Sequence, residues 1–186
     1  MTCNLLFATP VWSTQLDINN SQLLSDGLQY QGADFFDTPG PAIATLKSQI
    51  INFINTDIKP SAYFPRDPGT INISGRQNPI QPYENDTPHW HPGKTLIGVY
   101  YVSTPANSGD LLLHDPRGTV ADTWAEPSTK TESRGCRTFY RVKPEPGLLL
   151  FFPDYVIHSV ETNLSNQPRI SIIIDVTATW TNIMPG

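Results

Sequence analysis

Four histidines occur in the chain, at positions 89, 91, 114 and 158, and their spacing is the first sign of chemistry. His89 and His91 are separated by one residue. In an extended segment that spacing puts both imidazoles on the same side of the chain, so the pair can chelate one ion. His158 follows Phe151, Phe152 and Pro153 and opens another expected strand, from which a third nitrogen could reach the same ion. Three protein ligands leave coordination positions open, which separates a catalytic metal site from a closed structural one. The plainer alternative makes His-Trp-His a surface pair and His158 a satisfied core residue. His114, in Leu111-Leu112-Leu113-His114-Asp115, is expected to play a structural part and not to bind the ion.

Arg169 lies eleven positions beyond His158, at the head of the apolar strand Ile170-Ser171-Ile172-Ile173-Ile174. A guanidinium directed into an apolar pocket is costly unless an anion meets it, and its planar fork suits a carboxylate. Such a residue asks for an acidic ligand. The alternative is a strand-end arginine facing solvent after Pro168.

These residues need a scaffold to bring them together. From Thr70 onward short β-rich runs alternate with turn residues: Thr70 to Ser74, Thr95 to Ser103, Asp110 to His114, Thr138 to Lys143, Leu148 to Phe152, Ile157 to Thr162 and Arg169 to Thr179. Leu148 to Phe152 and Ile170 to Ile174 are apolar on both faces and must be covered on both, which two packed antiparallel sheets, with helices, can do. Residues 1–69 are expected to brace this core of residues 70–180 within a single domain. They read as a strand from Asn4 to Leu16 broken at Pro10, with Leu6, Val11 and Trp12 buried, a weak helix from Ser21 to Leu28, and a stronger one from Pro41 to Asn55. Ile43, Leu46, Ile50, Ile51 and Ile54 recur there at helical spacing. Residues 116–137, rich in Thr, Ser, Glu and Arg, read as a substrate-binding flap or as an inert surface excursion.

Composition narrows the function classes. With 186 residues and 38% hydrophobic content the chain can bury a core without disulfides. The net charge of -5 argues against a nucleic-acid phosphate binder. Cys3 and Cys136 form no Cys-x-x-Cys pair, which fits a reducing cytoplasm, and the apolar stretch Leu5 to Val11 is too short for a membrane span. The partner expected is a small molecule or a peptide, and a homodimer stays open. Eighteen prolines and twelve glycines disfavour long helices and point to a mainly β architecture.

The ordered set His89-x-His91, Gly98-Val99-Tyr100-Tyr101-Val102, Ser108-Gly109-Asp110-Leu111, Pro146-Gly147-Leu148 to Pro153, His158 and Arg169-Ile170-Ser171 resembles the iron(II)- and 2-oxoglutarate-dependent oxygenases. The opening Leu6-Phe7-Ala8-Thr9-Pro10-Val11-Trp12 is similar to the uncharacterised group of that superfamily found in bacteria and phages. The resemblance covers nearly the whole chain. It implies a double-stranded β-helix (jelly-roll, cupin-like), Fe(II) as cofactor, and 2-oxoglutarate as a cosubstrate converted to succinate while a substrate is hydroxylated. It also implies that His89 and His158 are metal ligands and that Arg169 anchors the far carboxylate of 2-oxoglutarate. Ser171, two residues on, could share that carboxylate, and Tyr101 matches a tyrosine that contacts the cosubstrate. No catalytic acid or base beyond the metal ligands is implied. Trp90 and Tyr100 are candidate substrate contacts, with framework roles as the simpler expectation.

The chain departs from the resemblance at His91, where most members of the wider superfamily carry Asp or Glu. Three neutral imidazoles leave a more positive centre and also suit zinc. Asp86, Asp110 and Asp115 are the alternative carboxylates. Two other functions remain compatible with the residues: a cupin-like metal- or ligand-binding module with no oxidase chemistry, and a three-histidine zinc hydrolase, which would need a general base near the ion.

Overall fold

A computed structural model describes residues 8–32, 34–61, 63–64, 68–118 and 139–180. The early residues of the opening stretch, Leu6 among them, both cysteines and most of the 116–137 segment lie outside that set. Two antiparallel sheets carry the fold. The larger has the order β1 (Trp12–Gln15), β7 (Leu148–Pro153), β4 (Leu96–Ser103), β9 (Arg169–Thr179), β2 (Thr70–Ile80). The smaller has the order β3 (Asp86–His89), β8 (His158–Val160), β5 (Leu111–His114), β6 (Phe139–Val142). Two helices, α1 (Asn20–Gly27) and α2 (Pro41–Phe53), precede the core strands. The architecture is the mainly β jelly-roll with supporting helices that the sequence leads one to expect.

Period-two alternation in the central strands decides which residues face the site. Leu96, Tyr100, Val102, Leu149, Phe151, Ile172, Ile174 and Val176 pack with Leu23, Ile43, Leu46 and Ile50 of the two helices. Their neighbours Ile97, Val99, Tyr101, Leu150, Phe152 and Ile173 face the smaller sheet and pack with Leu111, Leu113 and Val160. The strands that are apolar on both faces are therefore covered by helices on one side and by a sheet on the other. Gly98 sits on the helix-facing side of β4, opposite Phe151. A Cβ there would run into the Phe151 ring, so the absence of a side chain sets how closely β4 and β7 can pack.

Pro41 occupies the first turn of α2, where its missing N–H costs nothing. The next N–H, from Ala42, donates to the buried carboxylate of Asp26 on α1 at 2.9 Å. This contact ties the two helices together and satisfies one of the free donors of a helix start. Beyond Phe53 the helix continues as a wider π turn, Ile54–Ile58, and a short 3-10 turn, Lys59–Ser61. Helical structure thus runs past the expected end at Asn55, and Ile54 and Ile58 stay buried.

Several local expectations need correction. Val11 is 39% exposed and precedes a four-residue edge strand, so it does not belong to the core. Pairing with β7 begins only at Trp12, opposite Phe151. Ile51 is 43% exposed because the buried stripe of α2 runs through residues 43, 46, 50 and 54. Strand β2 extends six residues past Ser74, through Gly75 and Pro79. Those residues read as breakers in the sequence, but β2 is an edge strand bonded only to β9, where a proline is tolerated. Strand β3, carrying Pro88, was not anticipated as a strand at all.

Candidate metal centre

His89 ends β3 and His158 begins β8, and the two are paired directly across that ladder. Cross-strand neighbours of this kind hold their side chains side by side, and the two ring centroids lie 4.3 Å apart. His91 lies two residues beyond His89, in the connection to β4, and its ring is 5.4 Å from that of His89 and 5.2 Å from that of His158. One nitrogen of each ring lies within 4.8 Å of those of the other two, a grouping able to hold a metal ion.

The hydrogen bonds fix which nitrogen is available. His89 Nδ1 meets the Thr87 carbonyl at 2.7 Å, His158 Nδ1 meets the Val156 carbonyl at 3.1 Å, and His91 Nδ1 meets Asp175 Oδ1 at 2.9 Å. Carbonyl and carboxylate oxygens only accept, so each Nδ1 carries a proton, and in the neutral ring Nε2 is then the nitrogen with a lone pair to offer an ion. Burial, reinforced by the neighbouring His89 and His91, pushes the His158 pKa down to about 4, while the Val156 contact works in the opposite direction. The ring is therefore neutral, as a ligand must be.

The second half of the site lies on the large sheet. The three histidines share a small, partly open cavity with Arg76, Asn78, Asp86, Arg169 and Ser171. Arg169, Ser171 and Ile173 alternate along β9, with Tyr101 of β4 in register with Ser171, so one face of two adjacent strands presents them all. Arg169 is only 1% exposed, and its Nε and Nη1 have no hydrogen-bond partner. Its guanidinium carbon lies 5.0 Å from the centre of the Tyr101 ring, and the Tyr101 hydroxyl is also without a partner. Burial pushes the Tyr101 pKa up to about 12 despite the Arg169 charge, so the hydroxyl stays a donor. A buried cation with two idle donors beside an idle hydroxyl fits a carboxylate ligand. Ser171 is buried, with Oγ 3.5 Å from the Asn78 carbonyl.

The remaining candidates take other positions. His114 Nε2 meets Ser159 Oγ at 2.9 Å and is outside the three-histidine group. Asp110 pairs with Arg141 at 3.2 Å and Asp115 with Arg117 at 2.6 Å. Asp86 lines the cavity, but its Oδ2 accepts from Asn78 at 3.0 Å. Tyr100 packs on the helix side and donates to Asn20 at 2.7 Å, which gives it a framework role. Trp90 is 56% exposed, so a framework role does not describe it.

Sequence reading missed Asp175, Arg76 and Asn78. An acid directly after the apolar run Ile172-Ile173-Ile174 of β9, on the same alternation as Arg169, Ser171 and Ile173, was the available signal for Asp175. Burial would raise its pKa, but the hydrogen bond with His91 and the Lys94 ammonium, 3.5 Å from Oδ2, hold it below the usual carboxylate value. Arg76 and Asn78 lie in the part of β2 that the glycine and proline obscured.

Comparison with known proteins follows the same geometry. Residues 77–175, over half of the chain, match the family model described as "Putative 2OG-Fe(II) oxygenase". Among solved structures, a Pseudomonas putida prolyl-4-hydroxylase superposes with a TM-score of 0.59 at 11% identity, over 95% of this chain and 91% of that one. At that identity the likeness speaks for the fold alone. An oxidoreductase of the 2OG-Fe(II) oxygenase family from Burkholderia pseudomallei gives a TM-score of 0.49 at 14% identity, over 76% of this chain and 62% of that one. No curated protein sequence matches the chain.

Proposed function

This chain belongs to the 2OG-Fe(II) oxygenase family of oxidoreductases, and from that premise we propose that it uses dioxygen to convert 2-oxoglutarate to succinate and CO2, one oxygen atom entering succinate and the other hydroxylating a small molecule or a peptide side chain. Family membership implies Fe(II) and 2-oxoglutarate, and the three-histidine group fits iron. The observation that carries the proposal is the pairing, on one cavity, of that group with the buried guanidinium of Arg169, whose Nε and Nη1 lack hydrogen-bond partners. A metal-binding module without oxidase chemistry has no use for such a cation.

In this reading His89, His91 and His158 hold the ion through Nε2, each ring fixed by its Nδ1 contact. Arg169 anchors the distal carboxylate of 2-oxoglutarate with Nε and Nη1. The Tyr101 hydroxyl and Ser171 stand beside that carboxylate as further donors. Val99, Leu111, Val160 and Ile173 give the cavity apolar walls that limit water around the reacting groups. Iron(II), when bound, supplies the oxygen chemistry, so the protein's own task is to bind and orient.

To test this, iron-loaded protein is incubated in air with 2-oxoglutarate and a panel of amino acids and peptides, and succinate is measured. Succinate that rises with one panel member, and disappears in His158→Ala, is the expected result. Folded, iron-loaded protein that leaves 2-oxoglutarate unconsumed under every condition would overturn the proposal.

A further inference from the structure

The surroundings of His91 differ from those of the other two rings. His89 and His158 each give their Nδ1 proton to a backbone carbonyl. His91 gives its proton to a carboxylate, Asp175 Oδ1, at 2.9 Å. Among the described residues this is the single carboxylate hydrogen-bonded to the three rings. Asp175 comes from β9, 84 positions along the chain from His91, and pairs in register with Ile97 of β4. Both partners are largely covered, with side-chain exposures of 10% for His91 and 25% for Asp175. Lys94 Nζ lies 3.5 Å from the other oxygen, Oδ2, which leaves Oδ1 directed at the imidazole.

We propose that Asp175 is a positioning residue that orients the ring of His91 and brings negative charge to the metal site through it. The inference rests on the reading of His91 as a ligand. A carboxylate accepting the Nδ1 proton fixes the ring's tautomer and orientation and makes its Nε2 a stronger donor. A divalent ion with three neutral imidazoles alone would leave two uncompensated positive charges in a half-covered site. Asp175 sets one negative charge against them, shared with the Lys94 ammonium 3.5 Å from Oδ2. Asp110 pairs with Arg141 and Asp115 with Arg117, and Asp86 accepts from Asn78 and not from any of the three rings.

The test is a double-mutant cycle read as Fe(II) affinity, measured anaerobically against a competing chelator, with melting of the metal-free protein as the control for folding. Asp175→Asn keeps an oxygen that can accept from His91 Nδ1 and removes only the charge. Asp175→Ser, which removes the charge without adding bulk, is measured beside it and should behave alike. Either change should weaken Fe(II) binding by about 10- to 100-fold, the range for loss of a partner behind a ligand histidine. In a His91→Asp background, where a carboxylate is bound directly, the same change should alter affinity by no more than about twofold. An equal loss in both backgrounds, or no loss in the native one, overturns the inference. His91→Ala separates the two levels. If it leaves Fe(II) affinity intact, the ligand assignment itself fails, whereas a loss in His91→Ala with silent Asp175 variants removes this inference alone.

Discussion

Replacing Arg169 should have opposite effects on the empty protein and on its complex with 2-oxoglutarate. The guanidinium is buried, with Nε and Nη1 lacking partners, so the ligand-free protein holds an incompletely solvated cation. The Tyr101 ring lies 5.0 Å from it, and a desolvated contact of that kind contributes about 2 kcal/mol. Burying a charge without a counter-ion costs several kcal/mol. Arg169→Met, of similar reach, should therefore melt at or above the native temperature when no ligand is present. In the complex, two charged hydrogen bonds worth about 1.5–3 kcal/mol each are lost, which weakens 2-oxoglutarate by roughly 10²- to 10⁴-fold at about 1.4 kcal/mol per decade. Arg169→Lys keeps the charge but not the fork, and should lose about 1–3 kcal/mol, or roughly 5- to 150-fold. Anaerobic titration calorimetry on metal-loaded protein gives the affinities and calorimetric melting gives the stabilities. Native affinity in Arg169→Lys, or a large drop in ligand-free stability in Arg169→Met, would refute the anion-anchor reasoning.

Tyr101→Phe removes a hydroxyl with no partner in the empty protein, so ligand-free melting should hold while 2-oxoglutarate affinity falls by about 0.5–1.5 kcal/mol in the same titration. Metal-free protein should lose stability as pH falls from the ordinary histidine value of 6.5 through about 4, because the unfolded chain takes up a proton that folded His158 refuses in that window. The loss amounts to about 3 kcal/mol, and urea melts in which it survives His158→Gln would assign it elsewhere. Gly98→Ala should cost about 1–3 kcal/mol by forcing a methyl against Phe151, and unchanged denaturation midpoints would contradict the packing of β4 on β7.

Much of the β architecture could be read from the sequence because the central strands are dense in β-branched and aromatic residues. Strands β4, β5, β6, β7 and β9 fall within a residue of where alternation places them, and β9 lies exactly there. The edges were harder to see. Strands β2 and β3 contain Pro79 and Pro88, and a proline is informative only once one knows that no neighbouring strand needs its N–H. Position along the chain was enough to nominate the three histidines and Arg169. It could not reveal Asp175 as the partner of His91, since that contact depends on β9 and the β3 to β4 connection meeting in three dimensions. Local spacing likewise could not tell an exposed Trp90 from a buried one, because the residue lies just past the end of β3, where alternation no longer governs which side is covered.

The most direct measurement of the central claim is anaerobic addition of Fe(II) and then 2-oxoglutarate to the metal-free protein, followed by visible absorption spectroscopy. The account predicts a metal-to-ligand charge-transfer band that requires both additions, is lost in His158→Ala, and needs far more 2-oxoglutarate to appear in Arg169→Met. A protein that binds Fe(II) at the three histidines yet develops no such band at saturating 2-oxoglutarate would contradict it.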